Sequence, residues 1–467
     1  MINPVLNTDS YKTSHFLQYP PGTRRVFAYA ESRGGAYDRT LFFGLQAILK
    51  QEFARPVTRR DVDEAQEVLR DHGVPFNGHG WDLLLARHDG RLPIEVRALP
   101  EGSVVPTHQV LMTVVNTDPD FAWLPSYVET ALLRIWYPVT VATISWHVRQ
   151  RIRAALELSA DDPAGELPFK LHDFGARGVS SEASAALGGL AHLVSFKGTD
   201  TLSAIMAGRR LYHEPMAGFS IPAAEHSTIT SWGRDGEEQA YANMIARFGR
   251  PGSVFAVVSD SYDLYNAVDH LWGEALRQQV VDSGATLVVR PDSGDPVTVV
   301  AKTMALLAER FGTDTNSKGY KVLRNVRMIQ GDGVNPQSIG AILDRTLAEG
   351  FSAANIAFGM GGALLQRLDR DTLGFAYKAS AVDVEGSWRD IFKDPATDSA
   401  KRSKRGLLGL VEEGGDWATV PVDGERFEPL DGRRNALRPV WRDGQLLIDE
   451  SLMQIRHRAA GFGPDSA

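Results

Sequence analysis

The chain contains no cysteine. Disulfides and a cysteine nucleophile are therefore excluded, while the compartment stays open, with the cytoplasm as the default expectation. No apolar run reaches about 18 residues, so no membrane span is expected. Positive charge is also scarce. Fifty Lys and Arg stand against 58 Asp and Glu, a net charge of −8, and a nucleic-acid backbone is not the expected partner. The first residues, Met1-Ile2-Asn3-Pro4-Val5-Leu6, lack a basic region followed by an apolar core, so no signal peptide is expected. No cluster has zinc spacing, no Ser-His-Asp arrangement is readable, and neither an internal repeat nor a low-complexity tract is present.

What remains is an ordinary globular composition, 43% hydrophobic and 23% charged. A length of 467 residues suits two domains better than one. From residue 169 onward a rhythm sets in. Strand-like runs at 169–173, 193–196, 219–222, 254–258, 286–289, 327–329 and 356–358 each break into polar or Gly-rich sequence. They recur roughly every 25–40 residues, enough for a strand, a helix and their loops.

The intervening stretches read as helices. Residues 264–281 carry Leu264, Val268, Leu271, Trp272 and Leu276 at helical spacing. Residues 296–311 open on proline, and Asn335-Pro336 starts a third helix. Alternating strand and helix, with polar chemistry always after the strand, predicts an α/β fold built on a parallel (β/α) barrel. An open doubly wound sheet also alternates, but polar residues spread over so many strands favour the barrel.

Three segments follow from this. Residues 1–150 are expected to form an α+β domain, with strands at 26–30 and 92–99 and helices at 60–70 and 126–136. Residues 151–374 form the barrel. Residues 375–467, irregular and turn-rich, have little core of their own and are expected to pack back on the N-terminal domain.

The chemistry-bearing residues sit at the strand ends. Phe174, Gly175 and Arg177 offer a flat ring and a fixed cation within a few residues, a plausible small-molecule subsite; a turn with a surface arginine is the plain alternative. Gly331-Asp332-Gly333 and Gly359-Met360-Gly361-Gly362 present backbone N–H groups able to cradle a phosphate, although tight turns need glycine too. Asp263, Asp292 and Asp332 are candidates to position Mg²⁺ or to cap loops. His226, beside Glu225, is a candidate for proton transfer or for accepting a phosphoryl group. The run Lys401-Arg402-Ser403-Lys404-Arg405 is a solvated loop or a charge clamp on polyphosphate.

These residues fall in longer blocks. Among them are Asp9-Ser10-Tyr11-Lys12, Trp136-Tyr137-Pro138-Val139-Thr140, 170–181, 196–200, 221–230, 259–265, 290–294, 330–334, 392–395 and 401–404. Almost end to end, the chain resembles the nicotinamide phosphoribosyltransferase family. The resemblance implies a homodimer of type II phosphoribosyltransferase architecture with active sites shared between subunits. It implies formation of nicotinamide mononucleotide and pyrophosphate from nicotinamide and 5-phosphoribosyl 1-pyrophosphate, with Mg²⁺ as cofactor and ATP as a facultative co-substrate.

The resemblance also implies roles. Phe174 stacks on the pyridine ring and Tyr11 of the other subunit covers its second face. Asp200 accepts from the carboxamide, with Arg177 beside the same ring and Ser220 among the substrate-binding residues. Asp292 faces the ribose hydroxyls near Arg290. Gly331 and Asp332 line the ribose side, and Gly361 and Gly362 hold the 5′-phosphate. Arg33, Arg370, Lys378, Lys393 and Lys401 match the family's polyphosphate-binding cations, several of them reaching across the dimer. His226 matches a histidine phosphorylated when ATP hydrolysis is coupled to synthesis, and Asp263 its carboxylate partner. There are departures: Ala176 stands where the vertebrate enzymes carry tyrosine, the glycine loop reads Gly359-Met360-Gly361-Gly362-Ala363 rather than Gly-Ser-Gly-Gly-Gly, and a charged insertion after Arg33 in vertebrate members is absent. A nicotinate phosphoribosyltransferase and a non-catalytic binding protein on the same fold are the competing readings.

Overall fold

The computed structural model describes residues 3–394 and 403–461. The chain divides into two compact units. One comprises residues 1–143, 210–214 and 368–467, the other 144–209 and 215–367.

The first unit is built on an antiparallel sheet of seven strands. Their order is Ser387–Asp390, Ala376–Val384, Thr23–Glu31, Val110–Asn116, Ile94–Ala98, Arg438–Arg442 and Gln445–Leu446. Strands from both ends of the chain thus share one ladder: Ala376–Val384 pairs with Thr23–Glu31, and Arg438–Arg442 with Ile94–Ala98. The turn-rich C-terminal sequence gains its core this way, since Leu408, Leu437 and Trp441 join Phe27, Tyr29, Val96 and Trp81 in one buried cluster. Residues 126–136, expected as one helix, form short helices at Leu124–Tyr127 and Glu129–Leu133 before the long helix Trp136–Ser159 begins.

The second unit is a mixed α/β fold whose sheet is parallel and curled. Six strands run in the order Gly198–Thr199, Leu171–Asp173, Ile356–Met360, Val326–Gln330, Thr286–Arg290 and Val254–Val258. The segment 219–223 links the two edges. Phe219 bridges Gly198, Ala223 bridges Ala256, and both bridges are parallel. Backbone hydrogen bonds of 2.7–3.0 Å (Phe219 N to Lys197 O, Thr199 N to Phe219 O, Ala224 N to Ala256 O) close the circuit. Seven segments therefore form an irregular barrel rather than an open sheet.

The connecting helices begin on side-chain caps. Asp263 accepts from the N–H groups of Tyr265 and Asn266, Asp295 from Thr298 and Asn335 from Gln337 and Ser338. These caps satisfy N–H groups that the first helical turn leaves unpaired. The helix expected over 264–281 is present but widens to a π-helical stride at Ala267–Ala275. It buries Trp272 flat on Tyr241 at 4.4 Å.

Two expected strands are not regular strands: 219–222 makes only the isolated bridge at Phe219, and 193–196 makes none. Residues 193–196 are the exit of the helix Glu182–His192, with Leu193 N–H bonded to Gly189 O and Phe196 N–H to His192 O. The Phe196 ring stacks on His192 at 5.3 Å. The apolar run is buried by a turn instead, and the ladder is carried by Gly198–Thr199, just beyond it. A short apolar run does not by its pattern distinguish these outcomes.

Candidate active site

A cavity of about 430 Å³ occupies the inside of the barrel. Phe174, Asp200, Ser220 and Arg290 line it at the C-terminal strand ends. His172, Ala256, Val288 and Ile329 line its middle, and Glu166, Lys170 and Arg327 its far end. Mostly apolar walls with a few convergent polar groups are the usual make-up of a small-molecule site.

Phe174 is the first residue beyond the strand Leu171–Asp173. Its N–H donates to Met360 O at 3.0 Å, which brings the ring against the neighbouring strand at Gly359. A Cβ on Gly359 would stand 2.0 Å from Phe174 Cε2, so only glycine admits the ring there. The Arg290 guanidinium carbon lies 5.5 Å from the ring centroid, a cation–π distance. Nε and Nη2 of Arg290 also donate to Asp292 Oδ1 at 3.1 and 2.7 Å. Gly331 is adjacent, since a Cβ there would meet Arg290 Nε at 3.2 Å and Asp292 Oδ1 at 3.3 Å. Asp332 is exposed in the same loop.

Asp200 follows the next strand, Gly198–Thr199. Its N–H donates to Asp173 O at 3.0 Å, and its Oδ1 accepts from Ser220 Oγ at 2.6 Å. The carboxylate is exposed at the rim. Half-buried just inside, His172 is held below its ordinary pKa by desolvation, opposed by the negative charge of Asp200. Arg177 lies in the exposed turn Ala176–Gly178. Gly361 caps the short helix Gly362–Leu365.

His226 opens the helix His226–Thr230. Its Nε2 meets Asp260 Oδ1 at 3.0 Å. This corrects the expected partner: Asp263 Oδ1 is occupied as the cap of the following helix. The Asp260 side chain is only 5% exposed. Its other oxygen accepts from Ser293 Oγ at 2.6 Å and Asp292 N–H at 3.2 Å, so one carboxylate ties the histidine to the loop that carries Asp292. Two aspartates three residues apart look alike in sequence; the turn between them decides which one faces the imidazole.

In the first unit, four of the expected cations converge. Desolvation, together with Arg33, Arg370 and Lys393, pushes the Lys378 ammonium below lysine's ordinary range, against the pull of Glu129. Arg33 Nε donates to Glu31 at 2.8 Å, its Nη2 is buried without a hydrogen-bond partner among the described residues, and Lys404 pairs with the same glutamate. Burial and the charge of Glu31 push the Tyr29 hydroxyl up to about 12. Lys401 lies outside the described residues. Tyr11 is 60% exposed, edge-on to His15 at 5.3 Å, in the 3₁₀ helix Ser10–Leu17, which the 2.6 Å Lys12–Glu129 ion pair anchors. Among the described residues no group of three or more His, Asp or Glu side chains is arranged to hold a metal ion, and Asp263 and Asp292 each commit an oxygen elsewhere.

Residues 169–427 match the nicotinate phosphoribosyltransferase family, and residues 3–96 match the nicotinamide phosphoribosyltransferase N-terminal domain. A nicotinamide phosphoribosyltransferase of Xanthomonas campestris is 59% identical over 459 residues, 98% of each chain. One of Acinetobacter baylyi is 32% identical over 98% of this chain and 97% of its own. The chain belongs to the nicotinamide phosphoribosyltransferase family.

The fold of that family extends to more distant structures. A nicotinate-nucleotide pyrophosphorylase from Pyrococcus furiosus superposes with a TM-score of 0.61 at 16% identity, over 98% of this chain and 94% of its own. Human nicotinic acid phosphoribosyltransferase gives 0.57 at 20% identity, over 97% and 93%. Two departures noted in the sequence take on a physical meaning here. Met360 is fully buried at its strand end, so its side chain goes to the core, whereas Ala176 is exposed beside Arg177.

The contact between Phe174 and Gly359 is testable. Gly359→Ala is expected to destabilise the protein by about 1–3 kcal/mol, the usual cost of overpacking, read as a lower urea midpoint. Adding Phe174→Ala should restore most of that loss. An unchanged midpoint in the single variant would contradict the contact.

Proposed function

We propose that the protein transfers a phosphoribosyl group from 5-phosphoribosyl 1-pyrophosphate to nicotinamide, giving nicotinamide mononucleotide and pyrophosphate in pyridine nucleotide salvage. One observation carries the choice of base: the Asp200 carboxylate at the cavity mouth, with one oxygen taken by Ser220. An ionised carboxylate only accepts hydrogen bonds. Its remaining oxygen suits a carboxamide NH₂ and repels the carboxylate of nicotinate.

In this reading the pyridine ring lies on Phe174, with Arg177 beside it. Tyr11 of a second subunit closes the other face, in a homodimer with shared active sites. The ring nitrogen attacks ribose C1 as the C1–O bond to pyrophosphate breaks. Positive charge developing on ring and ribose is met by aromatic faces and by Asp292. Gly331 and Asp332 line the ribose side, and Gly361 and Gly362 offer backbone N–H groups to the 5′-phosphate. The leaving pyrophosphate gains charge, which Arg33, Arg370, Lys378, Lys393 and Lys401 are suited to neutralise. Mg²⁺ belongs with the polyphosphate, which usually supplies several of its ligands.

We extend the proposal to ATP. His226 Nε2 is held by Asp260, which leaves Nδ1 free to attack the γ-phosphorus of ATP, releasing ADP and forming a phosphohistidine. A histidine oriented by a carboxylate is the arrangement an activated nucleophile requires.

Three outcomes are expected. Asp200→Ser removes a charge-assisted hydrogen bond worth about 1.5–3 kcal/mol. It should lower the nicotinamide-to-nicotinate ratio of kcat/KM by roughly 10- to 150-fold. An unchanged ratio would favour the nicotinate enzyme, and no turnover of either base by the wild type would favour a binding protein. Tyr11→Ala and Asp292→Ala, each inactive alone, should regain activity after subunit exchange, and failure would argue against shared sites. His226→Ala should lose ATP stimulation and keep slow ATP-independent synthesis. Full stimulation in that variant would exclude the phosphohistidine.

A further inference from the structure

Directly beneath the base subsite lies a carboxyl group to which neither the sequence nor the comparisons assign a role. Asp173 ends the strand Leu171–Asp173 and is fully buried. Burial raises its pKa above the ordinary carboxylate range, and the neighbouring charge of Asp200 adds to the effect. The helix Glu182–His192 seals it from above, since a Cβ on Gly189 would stand 2.9 Å from Asp173 Oδ2. A buried carboxyl with no structural or chemical task is costly.

Its partners point to a task. Oδ1 accepts from Gly175 N–H at 2.7 Å, the turn on which Phe174 sits. Oδ2 accepts from Thr199 Oγ1 at 3.4 Å, and the same Oγ1 accepts from Thr201 N–H at 2.9 Å. The main-chain oxygen of Asp173 accepts from Asp200 N–H at 3.0 Å. One residue thus grips the turn bearing the ring and the turn bearing the carboxylate. The two turns leave different strands, and their spacing along the sequence does not set their separation in space.

We propose that Asp173 is a positioning residue that sets the distance between Phe174 and Asp200, and through it the preference for the base. The proposal rests on the reading that Phe174 and Asp200 hold the base. Without the Asp173 carboxyl the two strands stay paired and Asp200 N–H keeps its main-chain bond to Asp173. The side-chain ties to Gly175 N–H and Thr199 Oγ1, which fix one turn against the other, are lost. Asp200 then no longer meets the substituent of a ring stacked on Phe174 in one fixed geometry, and a misplacement of that kind is expensive for a charge-assisted hydrogen bond.

The test is kinetic, with nicotinamide and nicotinate as substrates and urea melts alongside. Asp173→Ala should raise KM for nicotinamide and cut the nicotinamide-to-nicotinate ratio of kcat/KM by about tenfold or more. KM for 5-phosphoribosyl 1-pyrophosphate should stay near wild type. Asp173→Asn, which keeps an acceptor for Gly175 N–H and a polar group toward Thr199, should recover much of the ratio. Thr199→Val, which removes the Oδ2 arm together with the acceptor of Thr201 N–H and leaves the Gly175 arm, should give a partial loss and serves if the alanine variant does not fold. In an Asp200→Ser background Asp173→Ala should change the ratio no further, as expected of residues acting as one unit. If Asp200→Ser shifts the ratio and neither Asp173→Ala nor Thr199→Val does, the positioning role is overturned while the base assignment stands. If Asp200→Ser itself leaves the ratio unchanged, the underlying assignment fails first. A lowered urea midpoint with unaltered kinetics would reduce Asp173 to a fold-stabilising residue and overturn the proposal.

Discussion

The parallel pairing of Leu171–Asp173 with a strand on each side is the constraint on which the rest of the candidate site depends. Met360 pairs with Asp173 on one side and Thr199 on the other. In parallel strands every C-terminus emerges at the same rim. Phe174, Asp200 and Gly361 therefore meet there although up to 187 residues separate them in the chain. The barrel is completed by little more than two bridges, at Phe219 and Ala223, and the shortness of that segment leaves Ser220 at the rim to meet Asp200.

Carboxylates in this protein divide their duties by local geometry. Asp263 and Asp295 spend their oxygens on helix caps. Asp260 spends one on His226 and the other on the Asp292 loop. Asp292 is drawn to Arg290, whose guanidinium also lies over Phe174. Asp200 presents an oxygen to the cavity mouth from an exposed position. The cations show the reverse arrangement: burial first, and then the nearby charges of Arg33, Arg370 and Lys393, disfavour the charged form of Lys378.

Membership of the nicotinamide phosphoribosyltransferase family is shown by near full-length identity to its members. The same fold carries proteins named for nicotinate and its nucleotide. The fold by itself therefore does not fix the substrate. No helix among the described residues is long and apolar enough to cross a membrane.

Much of this was legible in the amino-acid sequence. The strand–helix rhythm, the helix starts at Asn335 and Pro296, and the ring-bearing turn at Phe174 all follow from local patterns, because caps, turns and periodic burial are decided within a few residues. Decisions between distant segments were not legible. Residues 193–196 have strand-like composition, yet bury their side chains from a turn. Asp260 and Asp263 are equivalent as sequence, and only the packed loop assigns one to His226 and the other to a helix. Nothing local marks His172 as lining a cavity or Asp173 as joining two turns. Both properties arise from which strands are neighbours, and pairing between strands is settled by the burial and hydrogen bonding of the whole sheet at once.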